Sequence, residues 1–511
     1  MPIGTLHTIP FPFLFLIWAD KMNEKQVFKM VPPSFLMVRK GTLHGKSILG
    51  IYTALGKELF ILHKDWEIKT FEMIDGKNTI EDIIEKTLDS YPDVKEKHVI
   101  ELIKELESYG VIYTGDKINL KKITKSGNYL DPDKAFLDYL RVTGLKNLEF
   151  PVTVRILLTL RCNANCVFCY LKAGEPYRKK TREEMSTDEI KTIIDEAVKN
   201  GVNILTLSGG EPFLRDDIIE IIEYATRRIP RVDVLTNGTL LADEKKVKSL
   251  ADRANKNSLI VQISLDGSTP SIHEKLRRGA NFNEVIEGIK NTLKYDMTLY
   301  VNTVVTKINI HDLENIVSLV NKIGCKFISF SEFMPVGNGV SQVKNLLCPP
   351  SEYFNLKSNI LPRLRKKYPN IIIAGKFIEP EFWDDKRKKE IRTPTYGSCA
   401  AYTTDITIGP DGRCLPCAWV AAYPEFYGKD VTESSISEVW HSDPSIEELR
   451  KIKVSGKCEK CEFNQLCYKG CFALKYALFG KIDIPDPKCW YKPGVPSSKK
   501  PPTDINYLFS E

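Results

Sequence analysis

The sequence predicts an α/β protein built on a parallel sheet. Two observations carry that class. Six short apolar runs follow one another, at residues 152–160, 204–207, 232–235, 259–265, 299–305 and 327–330. Stretches with apolar residues at helical spacing lie between them, at 189–199, 218–227, 284–293 and 313–323. Six strands with helical crossovers read as a parallel sheet with right-handed connections. Such sheets place their chemistry at the C-terminal strand ends.

The region ahead of this core, residues 27–125, reads as a small α+β unit of winged-helix-like type. Ile48-Leu49-Gly50-Ile51-Tyr52 and Leu59-Phe60-Ile61-Leu62 have strand character. Trp66, Phe71 and Ile74 keep one apolar helical face up to the Asp75-Gly76 break. Thr79 caps a second helix with Asp82 three residues on, followed by Ile83, Ile84 and Leu88. Val99, Leu102, Ile103 and Leu106 mark a third, ending near Gly110. Residues 1–26 form a tail, 126–150 a linker, 151–345 the core, 346–398 a connector rich in Pro and Lys, 399–495 a cysteine-rich domain and 496–511 a C-terminal tail.

Composition narrows the function classes. With 511 residues, 42% hydrophobic and 27% charged, the chain fits a soluble globular protein of three or four domains. Its net charge of +7, with both signs interspersed, leaves no nucleic-acid footprint. The run Lys386-Arg387-Lys388-Lys389 reads as solvated surface before an anionic-substrate patch. The apolar stretch 9–18 is too short to span a bilayer and holds two prolines, so no transmembrane segment is expected. It lacks a signal peptide's basic start and cleavage site. It is a docking or membrane-surface tail, or an over-extended start ahead of Met22. Cytoplasmic residence is expected. Thirteen cysteines, an odd count with ten in two groups, argue for metal in a reducing compartment and against a disulfide framework. Cys325 and Cys348 stand alone and read as small apolar fillers.

The chemistry starts at Cys162, Cys166 and Cys169, a C-x3-C-x2-C spacing directly after the first strand. Three thiolates this close can hold three irons of a [4Fe–4S] cube and leave the fourth open to a small molecule. Gly209-Gly210-Glu211-Pro212 ends the second strand. Two glycines admit close backbone approach to a ligand, and Glu211 is an anionic acceptor for an ammonium. Ser264-Leu265-Asp266-Gly267 ends the fourth strand, with His273 and Arg277 downstream. Cys399, Cys414, Cys417, Cys458, Cys461, Cys467, Cys471 and Cys489 crowd the C-terminal region, where zinc is the alternative to iron–sulfur.

Over about 190 residues this pattern resembles the radical S-adenosylmethionine (SAM) enzymes. The resemblance implies a partial (β/α)6 TIM-type barrel. It implies a cluster held by Cys162, Cys166 and Cys169, with Phe168 part of the motif and the amine and carboxylate of SAM on the open iron. By the same likeness Gly209, Gly210, Glu211 and Pro212 bind the SAM amino group, and Ser264 contacts polar groups of SAM. Arg277 pairs with its carboxylate, with Arg278 as the alternative because the loop is one residue short. Asn302 and Pro335-Val336-Gly337 match less specific positions. The implied reaction is reductive cleavage of SAM to methionine and a 5′-deoxyadenosyl radical, which removes a hydrogen atom from substrate. An electron donor such as ferredoxin or flavodoxin is implied.

The later cysteines resemble the SPASM extension of that family, which holds two auxiliary [4Fe–4S] clusters. That match assigns Cys399, Cys417 and Cys471 to the first, and Cys458, Cys461, Cys467 and Cys489 to the second. The first then lacks a fourth ligand, which is Cys414 or an open iron that meets substrate. Residues 27–125 resemble the PqqD-like domain, or RiPP recognition element, that binds the leader of a ribosomally made, modified peptide; a domain that only packs on the core is the alternative. The expected function is a peptide or protein maturase. The alternatives are biosynthesis of a haem-type or metal cofactor and, remotely, a non-catalytic zinc-bearing interaction protein. Sulfatase-type maturation is disfavoured, because such enzymes tend to carry Asp where Ala418 follows Cys417.

Overall fold

A computed structural model describes residues 28–30, 36–43, 46–53, 59–62, 64–74, 78–108, 112–114, 150–173, 184–202, 204–376, 399–402, 404–461, 470–490, 492 and 502–508. The expectations placed on residues 1–26, Asp75-Gly76, Gly110, the linker up to 149, Lys386–Lys389 and Cys467 lie outside these residues.

The N-terminal unit opens with β1 (Phe28–Met30), β2 (Leu36–Leu43), β3 (Lys46–Thr53) and β4 (Leu59–Leu62). Helices α1 (Asp65–Glu72), α2 (Ile80–Ser90) and α3 (Glu96–Ser108) follow, then β5 (Ile112–Thr114). β2, β3 and β4 form an antiparallel sheet with β3 in the middle, and β5 pairs with β1. The expected cap is present at α2: Thr79 Oγ1 accepts from Asp82 N at 3.1 Å, and the Asp82 carboxylate accepts from Thr79 N at 2.8 Å. Phe71, Ile74, Ile80, Ile83, Val99, Ile103 and Leu106 pack into a core of their own. β2, which the sequence reading did not draw, pairs with β3 over eight residues.

The six expected core strands are β6 (Thr153–Leu157), β8 (Ile204–Ser208), β9 (Arg231–Thr236), β10 (Leu259–Ser264), β12 (Thr298–Val305) and β13 (Phe327–Glu332). They run parallel in that spatial order. β7 (Asn165–Cys166) and β11 (Arg277–Arg278) form a separate two-stranded clip at the C-terminal rim. β12 shows the governing periodicity: Leu299, Val301, Thr303 and Val305 are buried, and Thr298, Tyr300, Asn302 and Val304 alternate with them on the inner face. The helices close the other face, with Ile190, Ile193, Ile194 and Ala197 of Thr187–Lys199 buried against the sheet. The sequence reading missed helix Glu244–Arg253, which buries only Val247, Leu250 and Ala251 among many charges.

Three further strands extend the sheet. β14 (Ile372–Lys376) pairs with β13, β15 (Asp405–Ile408) pairs in parallel with β6, and β16 (Cys414–Leu415) folds back on β15. The cysteine-rich region is thus built onto the first strand of the core. Two polar contacts add to that join. Glu196 accepts from the backbone N–H groups of Ile436 and Ser437, capping helix Ile436–Ser442. Lys488 pairs with Glu332 at the end of β13 at 2.8 Å, both buried. Among the described residues, no helix is long and apolar enough to cross a membrane.

Candidate active site

Cys162 follows β6 by five residues, so its loop stands at the C-terminal rim. The glycine turn after β8 is stitched to that loop by backbone hydrogen bonds, Gly210 N to Thr159 O at 2.6 Å and Glu211 N to Arg161 O at 2.8 Å. No side chain fits between them. A Cβ on Gly209 would come 2.4 Å from Thr159 O, and one on Gly210 would come 2.1 Å from Arg161 O. Gly209 also has φ of +138°. The clip holds the other end of the loop, with Cys166 opposite Arg277 and Val167 N donating to Leu276 O. Gly337 closes the far side: its Cβ position lies 2.6 Å from Cys169 O, and Asn338 N donates to that carbonyl at 2.9 Å.

Each of the three thiols has a donor, and Cys162 has a second in the Asn237 side chain. Ala164 N reaches Cys162 Sγ at 3.4 Å, Ala173 N reaches Cys169 Sγ at 3.4 Å, and Arg277 Nη1 lies 3.9 Å from Cys166 Sγ. Burial raises the Cys162 thiol, and it pushes Cys166 up to about 12 against the downward pull of Arg277. Both are raised further by the charge of Cys169. Thiols this protonated release protons on loading, and the donors then stabilise the thiolates. Three neighbouring sulfurs, each met by a donor, suit a cube that takes one thiolate on each of three irons. Among the described residues no three Cys, His, Asp or Glu side chains close on a single ion.

The predicted SAM contacts gather at this rim, and several are already engaged. Glu211 is fully buried, and its carboxylate accepts from Thr236 Oγ1 at 2.7 Å, Phe213 N at 3.1 Å and Asn237 N at 2.8 Å. Burial pushes its pKa up while these donors pull it down. Glu211 therefore fastens the turn to the end of β9, with three of its roughly four acceptor sites engaged. Pro212 starts the short helical turn Pro212–Leu214 that Glu211 caps. Arg277 pairs with the fully buried Asp266 at 2.5 Å, and its guanidinium lies over the Phe168 ring. Arg278 is exposed, so the alternation of β11 selects Arg277 as the inward residue. Ser264 stands opposite Asn302 in the sheet. The amide oxygen of Asn302 accepts from Ser329 and Ser331, leaving its Nδ2 to donate.

The later cysteines fall into two groups. The charges of Cys399 and Cys417 act on Cys471, and those of Cys489 and Cys461 act on Cys458. Burial raises Cys399 to about 11 and Cys417 to about 12. Cys414 is separated from them. In the two-residue strand β16 its side chain turns into the helix-side core, where it meets Tyr402 at 3.5 Å and Asp443 at 3.6 Å. Cys399, Cys417 and Cys471 lie with the other cluster of apolar residues. Cys414 is thus not the fourth ligand that spacing suggested. Cys325 and Cys348 are buried core residues, as expected.

Sequence reasoning missed Asp486 and Lys475. The Asp486 carboxylate accepts from Cys471 N at 2.7 Å, and its backbone carbonyl accepts from Cys489 N at 3.0 Å, so one residue fixes a member of each group. Lys475 is 2% exposed; burial lowers its pKa, while the charges of Asp486, Cys458, Cys471 and Cys399 pull it back up. An isolated Asp and a Lys in an apolar helix give no motif to read.

The model of the radical SAM superfamily matches residues 156–320, and that of an iron–sulfur cluster-binding domain, SPASM, matches residues 399–462. The AdoMet-dependent heme synthase of Methanosarcina barkeri is 30% identical over 353 residues, 66% of this chain and 95% of that protein. The mycofactocin maturase MftC of Mycolicibacterium smegmatis is 26% identical over 356 residues, 70% of this chain and 86% of that one. Streptococcus suis SuiB, crystallised bound to the precursor peptide SuiA, shares the fold at a TM-score of 0.62 and 19% identity, covering 88% of this chain and 96% of its own. The chain belongs to the radical SAM superfamily, as an enzyme with a SAM-binding [4Fe–4S] site and a SPASM auxiliary-cluster domain.

Proposed function

We propose that this enzyme is a peptide maturase. The observation that carries the reading is the extent of the fold shared with SuiB: 88% of the chain, more than residues 150–511 can supply. The likeness therefore reaches into the N-terminal unit, whereas the heme synthase and MftC alignments cover 66% and 70% of the chain. SuiB is described bound to its precursor peptide. Residues 27–125 would bind a leader as an added strand, for which β2 and β4 are the edges of the three-stranded sheet.

Bound at the rim, the cluster and SAM supply a 5′-deoxyadenosyl radical that removes hydrogen from a residue of the peptide. Cys162, Cys166 and Cys169 would hold the cluster, and the Gly209–Gly210 turn would shape the floor for the methionyl group. Ser264, Arg277 and Asn302 would orient it. Cys399, Cys417 and Cys471 would hold one auxiliary cluster with an open iron, and Cys458, Cys461, Cys467 and Cys489 the other. A ferredoxin- or flavodoxin-type donor in the cytoplasm would supply electrons. A haem-type substrate is the second reading, favoured by the identity with the M. barkeri enzyme.

The test is anaerobic reconstitution with dithionite and SAM, followed by mass spectrometry of peptides encoded beside the gene. Cys162→Ala should abolish 5′-deoxyadenosine formation, and Cys458→Ala should uncouple it from product. Modification of a tetrapyrrole and of no peptide would overturn the maturase reading.

A further inference from the structure

Arg155 is the third residue of β6. Its neighbours Val154 and Ile156 are buried in the helix-side core, whereas Leu157 packs with Met334, Val336 and Leu415. Strand alternation therefore turns Arg155 to the inner face with Leu157. Leu157 shares that inner cluster with Cys169 and Tyr170 on one side and with Cys399 and Cys417 of the first auxiliary group on the other. A group bound to Arg155 would lie on the inner face of β6, the face from which both cysteine groups are reached.

Among the described residues the guanidinium has no ion-pair partner. Its Nε is buried without a hydrogen-bond partner, and among the described residues no carboxylate pairs with it. Arg231 of β9, also on the inner face, is neutralised by Asp233 at 2.9 Å. Arg155 as a whole is half-buried, and its enclosed Nε is a donor that stays costly until an acceptor meets it. The planar fork of arginine matches a carboxylate with two parallel hydrogen bonds.

We propose that Arg155 anchors a carboxylate of the substrate. This rests on the reading that the barrel takes a substrate and deepens it by naming the class. That class is a peptide with an Asp or Glu side chain, or its C-terminal carboxylate, near the reacting residue. A propionate of a tetrapyrrole offers the same chemistry from another source.

Binding without turnover tests this. The full chain is reconstituted with its clusters and SAM, without reductant, and titrated by calorimetry. One arm uses a pool of N-acetylated, C-amidated hexapeptides with one fixed Glu, against the same pool with Gln. The other uses a propionate-bearing porphyrin against its amide. The charged form of one pair should bind about tenfold more tightly or better, the range for a hydrogen bond to a charged group. Arg155→Gln should erase that ratio and Arg155→Lys should keep part of it, with iron content and SAM affinity at the starting level. A preference in the porphyrin arm alone supports the anchor and removes the peptide reading. Equal binding of charged and neutral forms in both arms overturns the anchor while leaving the peptide reading intact. So does a preference that survives Arg155→Gln. Loss of cluster iron from Arg155→Gln with the preference retained also overturns it, since the guanidinium would then serve the cluster.

Discussion

Gly210→Ala isolates the contact that fixes the glycine turn against the cysteine loop. The added Cβ would lie 2.1 Å from the carbonyl oxygen of Arg161 and 2.7 Å from its carbonyl carbon. Both are backbone atoms, so no side chain can rotate away. Turn and loop must part by about 1 Å before ordinary contact is restored. Two hydrogen bonds cross that gap, from Gly210 N and Glu211 N. Losing both costs about 1–3 kcal/mol. The sheet and its helices do not depend on this rim contact, so the fold and the cysteine loop should survive. The displacement falls beside the reacting centre, where a shift of about 1 Å can cost roughly 100-fold in rate. The assay is anaerobic: iron per chain, SAM affinity by equilibrium dialysis, and the dithionite-driven rate of 5′-deoxyadenosine formation. Iron should stay at the starting level, SAM affinity should fall and the rate should drop by about two orders of magnitude. A rate and SAM affinity within about threefold of the parent would refute the argument that this close approach sets the geometry.

Two more perturbations follow from buried charge. His273 is fully buried, and desolvation, with Arg277 adding to it, lowers its pKa to about 3. The unfolded chain therefore binds a proton that the native state refuses, and stability falls as pH drops below about 6.5, the ordinary histidine value. Between pH 7 and pH 5.5 this one group should remove about 1.3 kcal/mol. Gln at position 273 can still accept from Asp266 N, as the histidine does at 3.1 Å. His273→Gln should flatten the pH dependence of the urea midpoint, and an unchanged slope would count against the assignment. Lys475→Met removes a buried cation that interacts with both auxiliary cysteine groups. At an effective dielectric near 20 a unit charge is worth about 4 kcal/mol at about 4 Å and less farther away, so the effect is on the order of 100 mV for one electron. Redox titration followed by electron paramagnetic resonance should show an auxiliary potential moved negative by that order, and a shift below about 20 mV would remove Lys475 from that role.

What the sequence shows of this site depends on how local each contact is. Cys162, Cys166 and Cys169 are legible because three ligands fall within eight residues, and the core strands are legible because their apolar runs are continuous. Arg277 stayed ambiguous with Arg278 because the choice is made by pairing to Cys166, more than a hundred residues away. Spacing misled at Cys414, two residues short of the turn to Cys417, because a strand sends alternate side chains to opposite faces. Asp486 gave no signal at all, since its role exists only where the chain returns to Cys471. The pairing of β15 with β6 is the most consequential of these hidden contacts. Cys162 follows β6, and Cys399 and Cys417 flank the β15–β16 hairpin laid against it. Adjacent strands lie about 4.8 Å apart and cannot slide without flipping every side chain to the other face. The separation between the SAM-side cysteines and the first auxiliary group is therefore set by sheet geometry, and Arg155 lies on the strand they share. A change in chain length between β14 and Cys399 should leave that separation unaltered, because the place of the β15–β16 hairpin is fixed by its pairing with β6.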